Sequence, residues 1–475
     1  MNQDRGAPEI CSDGFLTGYA RLHWIAASAE RNGGAVVHQL MHHLNLHNLK
    51  RAFRGLAGNK ATGIDKVTKG EYQKKLDENL EKLLSAIQAK TWRPKPSREV
   101  LITKPQGGFR PLAVGCLEDK VVQTLVARIL EAVFEPRFKR FSYGFRPGKS
   151  AHSALHKTYR AINKRNQNCV VVEMDIEKFF NSMNHEWLMK QIESHIDDPH
   201  FLGLVWKLLK ASTLHADGSL AENVLGTPQG SPVSPILANI YLHFLLDTWF
   251  ENTFGQQGEM VRYADDAVFV FSDLKVATEF QAALTVRLAE GGLTLNQQKS
   301  GIITFNKKAP SGIVPFLGFE LYWGTASVNK RTLKLKTSTK KLGKAIESFT
   351  DWVKESRNKM KASKLWRIAT AKVVGHFNYF GLTFNQNALG LFHQACLKAL
   401  FKWLNRRSQK RSFDWEQFKR KLHFLRFPNP PLGLLLKDIT SVALFAANPL
   451  PKSRMRKSRK SGSARSAGLQ RPAFT

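Results

Sequence analysis

Two adjacent aspartates, Asp265 and Asp266, are the first residues of this chain whose type and position suggest chemistry. They stand between two short apolar segments, 260–263 and 267–271, which predict the strands of a β-hairpin. Two ionised carboxylates in such a place repel each other unless a cation or a proton lies between them. Aspartate is also common in ordinary turns, so the pair by itself leaves a metal site and a simple turn both open.

A third carboxylate, Asp175, ends another apolar segment, 170–174, which predicts a buried strand. Three carboxylates at neighbouring strand ends can hold two Mg²⁺ ions about 3.5–4 Å apart, which stabilises both the attacking and the leaving oxygen of a phosphoryl transfer. Mg²⁺ prefers carboxylate oxygens and the oxygens of a nucleoside triphosphate. Because such acidic pairs are common in proteins, the three acids favour this chemistry without deciding it.

The segment between these acids, 226–242, is more specific. Its first half, Gly-Thr-Pro-Gln-Gly-Ser-Pro, is rich in glycine and proline, which fix an unusual backbone path. Its second half predicts a helix. Small residues before a helix N-terminus let a substrate approach the backbone closely. An ordinary rigid loop before a core helix is the alternative interpretation.

The elements that must position these residues mix helices with strands. Amphipathic patterns predict helices over 71–90, 119–134 and 274–288. A short strand is predicted at 100–102, and residues 315–319 are predicted to begin another short β element. Hairpin signals are more prominent than regular strand–helix–strand repeats. This mixture favours an α+β domain over a doubly wound parallel sheet.

The charge of the chain points to a polyanionic partner. There are 72 Lys and Arg against 38 Asp and Glu, a net charge of +34 over 475 residues. Nucleic acid is the partner that such a balance favours, with an anionic membrane surface as the alternative. Half of the excess lies in residues 331–421, where 22 basic and 5 acidic residues alternate with aromatic ones. Since no apolar run reaches the roughly 18 residues that span a bilayer, we expect no membrane partner.

The cysteines and the N-terminus bear on the compartment. The four cysteines are far apart and form no Cys-x-x-Cys pair, which argues against a zinc ribbon or a zinc-bearing HNH nuclease. Free thiols are typical of a reducing compartment. The first ten residues lack the basic and apolar regions of a secretory signal. We therefore expect a cytoplasmic protein in a bacterial-type cytosol, associated with the nucleoid.

The order of the motifs resembles that of reverse transcriptases, and most closely the group II intron-encoded reverse transcriptase/maturase family. Asp175 comes first, then the Pro-Gln-Gly loop, then Tyr-Ala-Asp-Asp. Further segments agree with this family, namely Lys104-Pro105, Arg110-Pro111-Leu112, Ser142–Ser150, Leu293–Asn296, Phe316–Phe319 and Val374–Gly381. The resemblance runs from about residue 45 to about 425. One departure is Leu112-Ala113-Val114-Gly115, where the family usually has Leu-Gly-Ile-Pro.

The resemblance implies an α+β right-hand polymerase, with fingers and a palm built on antiparallel sheet and an α-helical thumb after them. Residues 1–60 would be an N-terminal helical extension, and 61–330 the reverse transcriptase fingers and palm. Residues 331–425 would be the thumb, or maturase (X) domain. The basic tail 426–475, with no acidic residue after Lys452, would be either a DNA-binding segment or a disordered one.

The resemblance also assigns roles at the centre of the site. Asp175, Asp265 and Asp266 would be the ligands of two Mg²⁺ ions, for which Mn²⁺ can substitute, and the Ile176 carbonyl would assist them. Lys299 would protonate the leaving pyrophosphate. A solvated surface lysine is the alternative for Lys299.

Four other residues would bind the incoming nucleotide in this resemblance. Lys104 and Arg110 would contact its triphosphate, which suits two cations near a β-turn. Phe180 would stand under the sugar and exclude a ribose 2′-hydroxyl, whereas its neighbour Phe179 is expected to be a core aromatic. Gln229 would lie near the nucleotide and the template.

The implied function is that of an RNA-directed DNA polymerase, which also binds group II intron RNA as a maturase in splicing and intron mobility. The implied partners are structured RNA, an RNA template with a DNA primer, dNTPs and target DNA. The intact acidic triad argues against a maturase that has lost polymerase activity. A host-recruited relative that acts in DNA repair or phage defence is the alternative.

Overall fold

Helices and strands alternate irregularly along the computed structural model, which describes residue 16 and residues 18–31, 35–103, 108–165, 169–307, 312–327, 330–407 and 413–433. The helices are α1 Leu22–Arg31, α2 Leu46–Gly55, α3 Lys69–Gln73, α4 Leu76–Gln88, α5 Leu117–Phe134, α6 Ala151–Arg165, α7 Phe179–Ser182, α8 His185–Glu193, α9 Pro199–Leu209, α10 Ser234–Leu242, α11 Thr248–Thr253, α12 Leu274–Glu290, α13 Thr339–Ser356, α14 Ala362–Phe380, α15 Gln386–Leu404 and α16 Trp415–Phe424. The strands are β1 Val37–His38, β2 Ser97–Thr103, β3 Phe109–Val114, β4 Val170–Asp175, β5 Ile196–Asp197, β6 Thr213–Leu214, β7 Leu220–Ala221, β8 Gly258–Tyr263, β9 Asp266–Phe271, β10 Gly301–Thr304, β11 Val314–Phe316, β12 Phe319–Ser327 and β13 Lys330–Thr337.

The sheet that carries the predicted acids has the strand order β10-β4-β9-β8, and all of its pairs are antiparallel. β4 lies in its interior, and Val170, Val171 and Val172 are buried there. A strand that is covered on both faces needs a mainly apolar run, and the sequence provides Val170–Val172 and Met174, interrupted by Glu173. α10 and α12 contribute Leu237, Ile240, Phe280 and other buried side chains to the core against this sheet.

A second sheet, with the order β3-β2-β6-β7, holds the segment in which nucleotide contacts are predicted. β2 and β3 form an antiparallel hairpin in which Ile102 pairs with Arg110. Lys104 lies outside the described residues, and only the backbone of Arg110 is described. The Ala113 N–H donates to the Gln229 carbonyl at 2.8 Å, so β3 is joined directly to the Pro-Gln-Gly loop.

One predicted helix, 71–90, is wrong as a single element. The structure divides it into α3 and α4 at Lys74 and Lys75. Thr68 and Glu71 form a reciprocal capping box that starts α3. α4 then begins anew after Lys75, with two acids in its first turn. An amphipathic stripe does not reveal such a break, because the apolar positions keep their spacing across it.

The C-terminal part of the described chain is helical from Thr339 onward, with α13 to α16 packed around their own core. The first residues after 330 are not part of these helices, because β13 pairs with β12 as far as Thr337. Alternating Leu333 and Leu335 are buried there while Lys334 and Lys336 are not, and this period of two is typical of a strand.

The mixed α and β content confirms the predicted class at this level. All described residues fall in one compact unit. None of the helices in the described ranges is long and apolar enough to cross a bilayer. Cys116, Cys169 and Cys396 are buried free thiols.

Candidate active site

Asp175 and Asp266 stand directly opposite each other in neighbouring strands. They are register partners at the end of the β4–β9 ladder. Asp266 also pairs with Tyr263 of β8, so Ala264 and Asp265 form a two-residue turn between β8 and β9. Partners across an antiparallel ladder have Cβ atoms about 4.5–5.5 Å apart. The fold therefore brings the three predicted acids to one end of the sheet.

The surroundings of Asp266 show how strongly negative charge is concentrated there. Burial, and then repulsion by Asp265 and Asp175, raises the pKa of the Asp266 carboxyl to about 7. The Leu317 N–H donates to this carboxyl and the charge of Lys299 acts on it, and both oppose the rise in pKa. A divalent cation would relieve the same repulsion, since a bound ion is the dominant charge in such a site.

Asp175 is held by residues that follow α12. Its Oδ2 accepts from Lys299 Nζ at 3.1 Å and from Asn296 Nδ2 at 3.0 Å. Its backbone N–H donates to Ser300 Oγ at 3.0 Å, and its carbonyl accepts from the Asn296 N–H at 2.8 Å. Lys299 thus lies at the acids, while Asn296 and Ser300 fix both the backbone and the carboxylate of Asp175.

The Ile176 carbonyl is directed away from these contacts. Ile176 forms an isolated antiparallel bridge with Leu295, and the two hydrogen bonds of that bridge use the Asp175 carbonyl and the Glu177 N–H. In a pair of this kind, the N–H and C=O of the central residue point away from the partner strand. The carbonyl of Ile176 therefore faces the β9 side, where Asp266 lies.

The donor set fits a hard divalent cation, because carboxylates and a backbone carbonyl are the ligands that Mg²⁺ and Mn²⁺ accept. Within the described ranges, however, no three His, Cys, Asp or Glu side chains meet as a ready-made metal cage. The Asp175 carboxylate is engaged by Lys299 and Asn296 instead. The three acids therefore lie at the same end of the sheet. To bind a metal ion, the Asp175 carboxylate would have to give up its contact with Lys299.

The Pro-Gln-Gly loop lies on the turn that carries Phe180. The Thr227 N–H donates to the Phe180 carbonyl at 2.6 Å. Gly226 has a φ of +76°, and a Cβ there would be 2.5 Å from the same carbonyl, so no larger residue fits without displacing the backbone. Gln229 Nε2 approaches Asn181 Oδ1 at 3.5 Å. Phe180 and Gln229 thus lie in the same region of the structure.

The two neighbouring phenylalanines differ in burial. Phe179 is only 2% exposed and packs in the main core, which confirms the expectation of a core aromatic. Phe180 is half-buried at the edge of that core, with its ring 5.4 Å from that of Phe179. A partly open ring beside the Pro-Gln-Gly loop is available to a substrate.

A turn from outside the predicted set completes the surroundings of the acids. Leu317 and Gly318 connect β11 to β12 with φ values of 50° and 81°, the conformation of a tight hairpin turn. The Leu317 carbonyl accepts from the Tyr379 hydroxyl of α14 at 2.9 Å. This turn therefore links the C-terminal helices to Asp266, since the Leu317 N–H reaches its carboxyl.

The sequence has relatives among intron proteins and reverse transcriptases. The family described as "Reverse transcriptase (RNA-dependent DNA polymerase)" matches residues 102–321. Protein YkfC of Escherichia coli K12 is 32% identical over 297 residues, which are 54% of this chain and 75% of that protein. The group II intron-encoded protein LtrA of Lactococcus lactis is 34% identical over 195 residues, 41% of this chain and 32% of LtrA. The putative COX1/OXI3 intron 1 protein of Saccharomyces cerevisiae is 36% identical over 173 residues, 36% of this chain and 20% of that protein.

This chain belongs to the group II intron-encoded reverse transcriptase/maturase family. The chain spans about a fifth of the yeast intron 1 protein and about a third of LtrA. The reverse transcriptase match contains every predicted site residue, from Lys104 to Lys299, and ends within β12. Members of the reverse transcriptase family use divalent metal ions, which agrees with the donor set at the acids.

The sequence does not predict the residues that support the Ala264–Asp265 turn, which we call the acidic turn. Arg262 is fully buried beside Asp247, and Gly144 packs against the backbone of Ala264. One signal was available, because Arg262 is a charge inside the apolar segment 260–263. Gly144 lies in the motif segment Ser142–Ser150, but the sequence does not show what it contacts. For Asp247 the sequence shows no signal, since its contact joins elements that are apart along the chain.

Proposed function

We propose that this protein is an RNA-directed DNA polymerase. One observation carries the proposal. Asp175 and Asp266 are register partners in the β4–β9 ladder, with Asp265 in the adjoining turn, so three acids that are distant in sequence share one end of a sheet. Nucleotidyl transfer depends mainly on positioning and on charge stabilisation. This arrangement supplies both.

The two Mg²⁺ ions, for which Mn²⁺ can substitute, would be held by Asp175, Asp265, Asp266 and the Ile176 carbonyl. When bound, they supply the charge that stabilises the attacking and leaving oxygens of the transfer. Burial raises the pKa of Asp266, and repulsion by Asp265 and Asp175 adds to the rise. The repulsive part supports a cationic partner there. Lys299 Nζ donates to Asp175 Oδ2, and from this place Lys299 would transfer a proton to the leaving pyrophosphate.

The nucleotide would lie between β3 and the turn after β4. Phe180 would contact the sugar and exclude a 2′-hydroxyl, which makes dNTPs the substrates. Gln229 would lie beside the nucleotide and the template, and Lys104 and Arg110 would contact the triphosphate. The hydrogen bond between Ala113 and Gln229 supports this placement, because it joins the strand of Arg110 to the loop of Gln229.

The right-hand arrangement follows from the same assignment. The β10-β4-β9-β8 sheet would be the palm, the β2–β3 hairpin part of the fingers, and α13 to α16 the thumb or maturase domain. The bounds 1–60, 61–330, 331–425 and 426–475 for extension, polymerase, thumb and tail stand as part of this proposal. The Leu317–Tyr379 bond would then tie the thumb to the palm.

An RNA partner is supported by a group of cations around Trp403, which we call the Trp403 group. Lys354, Arg357, Lys402 and Arg406 all lie with their charged atoms 4.8–5.8 Å from the centre of the Trp403 ring system. None of the four forms an ion pair with a carboxylate within the described part of the chain. Uncompensated cations around an aromatic ring suit a phosphate backbone with stacked bases. We propose structured RNA, such as intron RNA, as the partner there, with target DNA as a further ligand of the protein.

Primer extension tests the polymerase proposal directly. The full chain is given an RNA template with a DNA primer and Mg²⁺, with either dNTPs or rNTPs. We expect extension with dNTPs only. The variant D265A/D266A should bind RNA as tightly as the parent protein and extend nothing. Extension by this double variant would contradict the assignment of the acids.

A further inference from the structure

Arg262 uses its whole guanidinium inside the protein. Nε and Nη2 donate to the two oxygens of Asp247 at 2.7 and 2.6 Å, and both side chains are fully buried. Nη1 donates to the Asn239 side-chain oxygen at 3.1 Å and to the Ala264 carbonyl at 3.0 Å. Ala264 is the first residue of the acidic turn. Arg262 is thus the link between a buried carboxylate and the backbone next to Asp265.

The partners of Arg262 come from the helix that follows the Pro-Gln-Gly loop. Asn239 lies in α10, and one π turn, His243–Asp247, continues that helix and ends at Asp247. A π turn changes the direction in which the following side chains point and is frequent at functional sites. Here the last residue of the π turn, Asp247, accepts two hydrogen bonds from the Arg262 guanidinium.

A second segment holds the same turn from the edge of the sheet. Ser142 forms a parallel bridge with Arg262, with hydrogen bonds from Tyr143 N–H to the Arg262 carbonyl and from Arg262 N–H to the Phe141 carbonyl. The Gly144 carbonyl accepts from Asn239 Nδ2 at 2.8 Å. A Cβ on Gly144 would be 2.2 Å from the Ala264 nitrogen, so the two backbones are in direct contact.

The turn itself has a conformation that needs such support. Ala264 has a φ of +58°, a left-handed region in which the Cβ of an L-residue is crowded and which is normally left to glycine. Strained backbone persists only where surrounding contacts determine it. At Ala264 those contacts are the hydrogen bond from Arg262 Nη1 to its carbonyl and the close approach of the Gly144 backbone.

We infer that Arg262 is a positioning residue, which fixes the Ala264–Asp265 turn and thereby sets the Asp265 carboxylate relative to Asp175. Asp247 and Asn239 hold the guanidinium in place. This inference rests on the proposed polymerase function for its kinetic consequence. The alternative is that the buried pair contributes only to general stability.

Replacing the ion pair with apolar residues separates these two roles. A buried pair can often be exchanged for hydrophobic residues of similar volume without loss of stability. The variant R262M/D247L should therefore unfold near the temperature of the parent protein, while the Ala264 carbonyl loses its donor. The matched control is R165M/E259L, which removes an ion pair from the other end of β8, far from the turn.

Measurements are made on the full chain, well below the unfolding midpoint. For R262M/D247L we expect kcat to fall roughly a hundredfold, the cost of a misplaced catalytic group, with the KM for dNTP within about twofold. Amide hydrogen exchange in the peptide that spans 260–267, measured without metal or nucleic acid, should be at least about tenfold faster, because the turn then opens locally. The control should match the parent in both measurements.

Two results would overturn the inference. The first is a stable R262M/D247L protein with parental kcat, and the second is parental exchange across 260–267. If the double variant does not fold, the same two measurements are made on N239A. This variant removes the hydrogen bond from Arg262 to Asn239 and the one from Asn239 to the Gly144 carbonyl. An inactive parent protein would count against the proposed function, and the exchange measurement would still test the positioning role.

Discussion

Lys299 and Asp175 form an ion pair, with Lys299 Nζ 3.1 Å from Asp175 Oδ2. The pair joins the predicted proton donor to a predicted metal ligand, although 124 residues separate them along the chain. Both side chains are open to solvent, at 62% and 41% exposure. An exposed pair of this kind contributes little to stability. Its importance therefore lies in what each partner does when a substrate is bound.

The first prediction separates the charge of Lys299 from its acidity. K299A should lower kcat for primer extension roughly a hundredfold, the usual contribution of a general acid. Its free energy of unfolding should change by less than about 1 kcal/mol, because the pair is exposed. K299R keeps the charge near Asp175 but is a very weak acid, so it should stay as slow as K299A. Recovery of the rate in K299R would show that charge alone matters.

The second prediction uses the contrast between Phe179 and Phe180. F180A should raise the acceptance of rNTPs relative to dNTPs roughly 10- to 200-fold, the range over which the fit of a pocket discriminates substrates, and should leave the fold intact. F179A should instead destabilise the protein by about 3–5 kcal/mol, because it opens a cavity in the core. Single-nucleotide incorporation and denaturant unfolding measure the two effects. An unchanged rNTP:dNTP ratio in F180A would remove Phe180 from the sugar site.

The third prediction concerns pH and a buried acid away from the site. Asp119 is 3% exposed, and burial raises the pKa of its carboxyl from the usual 3.8 to about 7. The folded protein therefore binds a proton more tightly than the unfolded chain does. The resulting stability is present below about pH 4 and is lost as the pH rises through about 7.

The variant D119N tests this carboxyl, because its side-chain oxygen can still accept from the Lys95 N–H, which donates to Asp119 at 3.1 Å. D119N should be about as stable as the parent at pH 5 and more stable at pH 8. Thermal unfolding at the two pH values gives the comparison. Equal stabilities at pH 8 would mean that Asp119 titrates near its usual pKa.

The sequence could predict those features that show as a local pattern of apolar and polar residues, and not the contacts between distant segments. The strand before Asp175 and the hairpin around Asp265 show as apolar runs, so their existence was predictable. The break at Lys74 and Lys75 was not, because α4 begins there without a side-chain cap and the apolar stripe continues across it. The contact of Asn296 with Asp175 depends on the β4–β10 pairing, and no local pattern shows which strands will pair.

The last prediction concerns RNA binding at the Trp403 group. The variant K354Q/R357Q/R406Q should reduce the salt dependence of RNA affinity by about 2–3 units of log K per log[salt], because each lost phosphate contact removes about 0.7–0.9. A charge-matched control, K74Q/K190Q/K275Q, neutralises three exposed lysines on α8, on α12 and after α3. The control should keep the parental slope. Filter binding of a structured RNA between 50 and 200 mM salt makes the comparison. Equal slopes for both variants would show that the positive charge acts diffusely and that the Trp403 group is not an RNA contact.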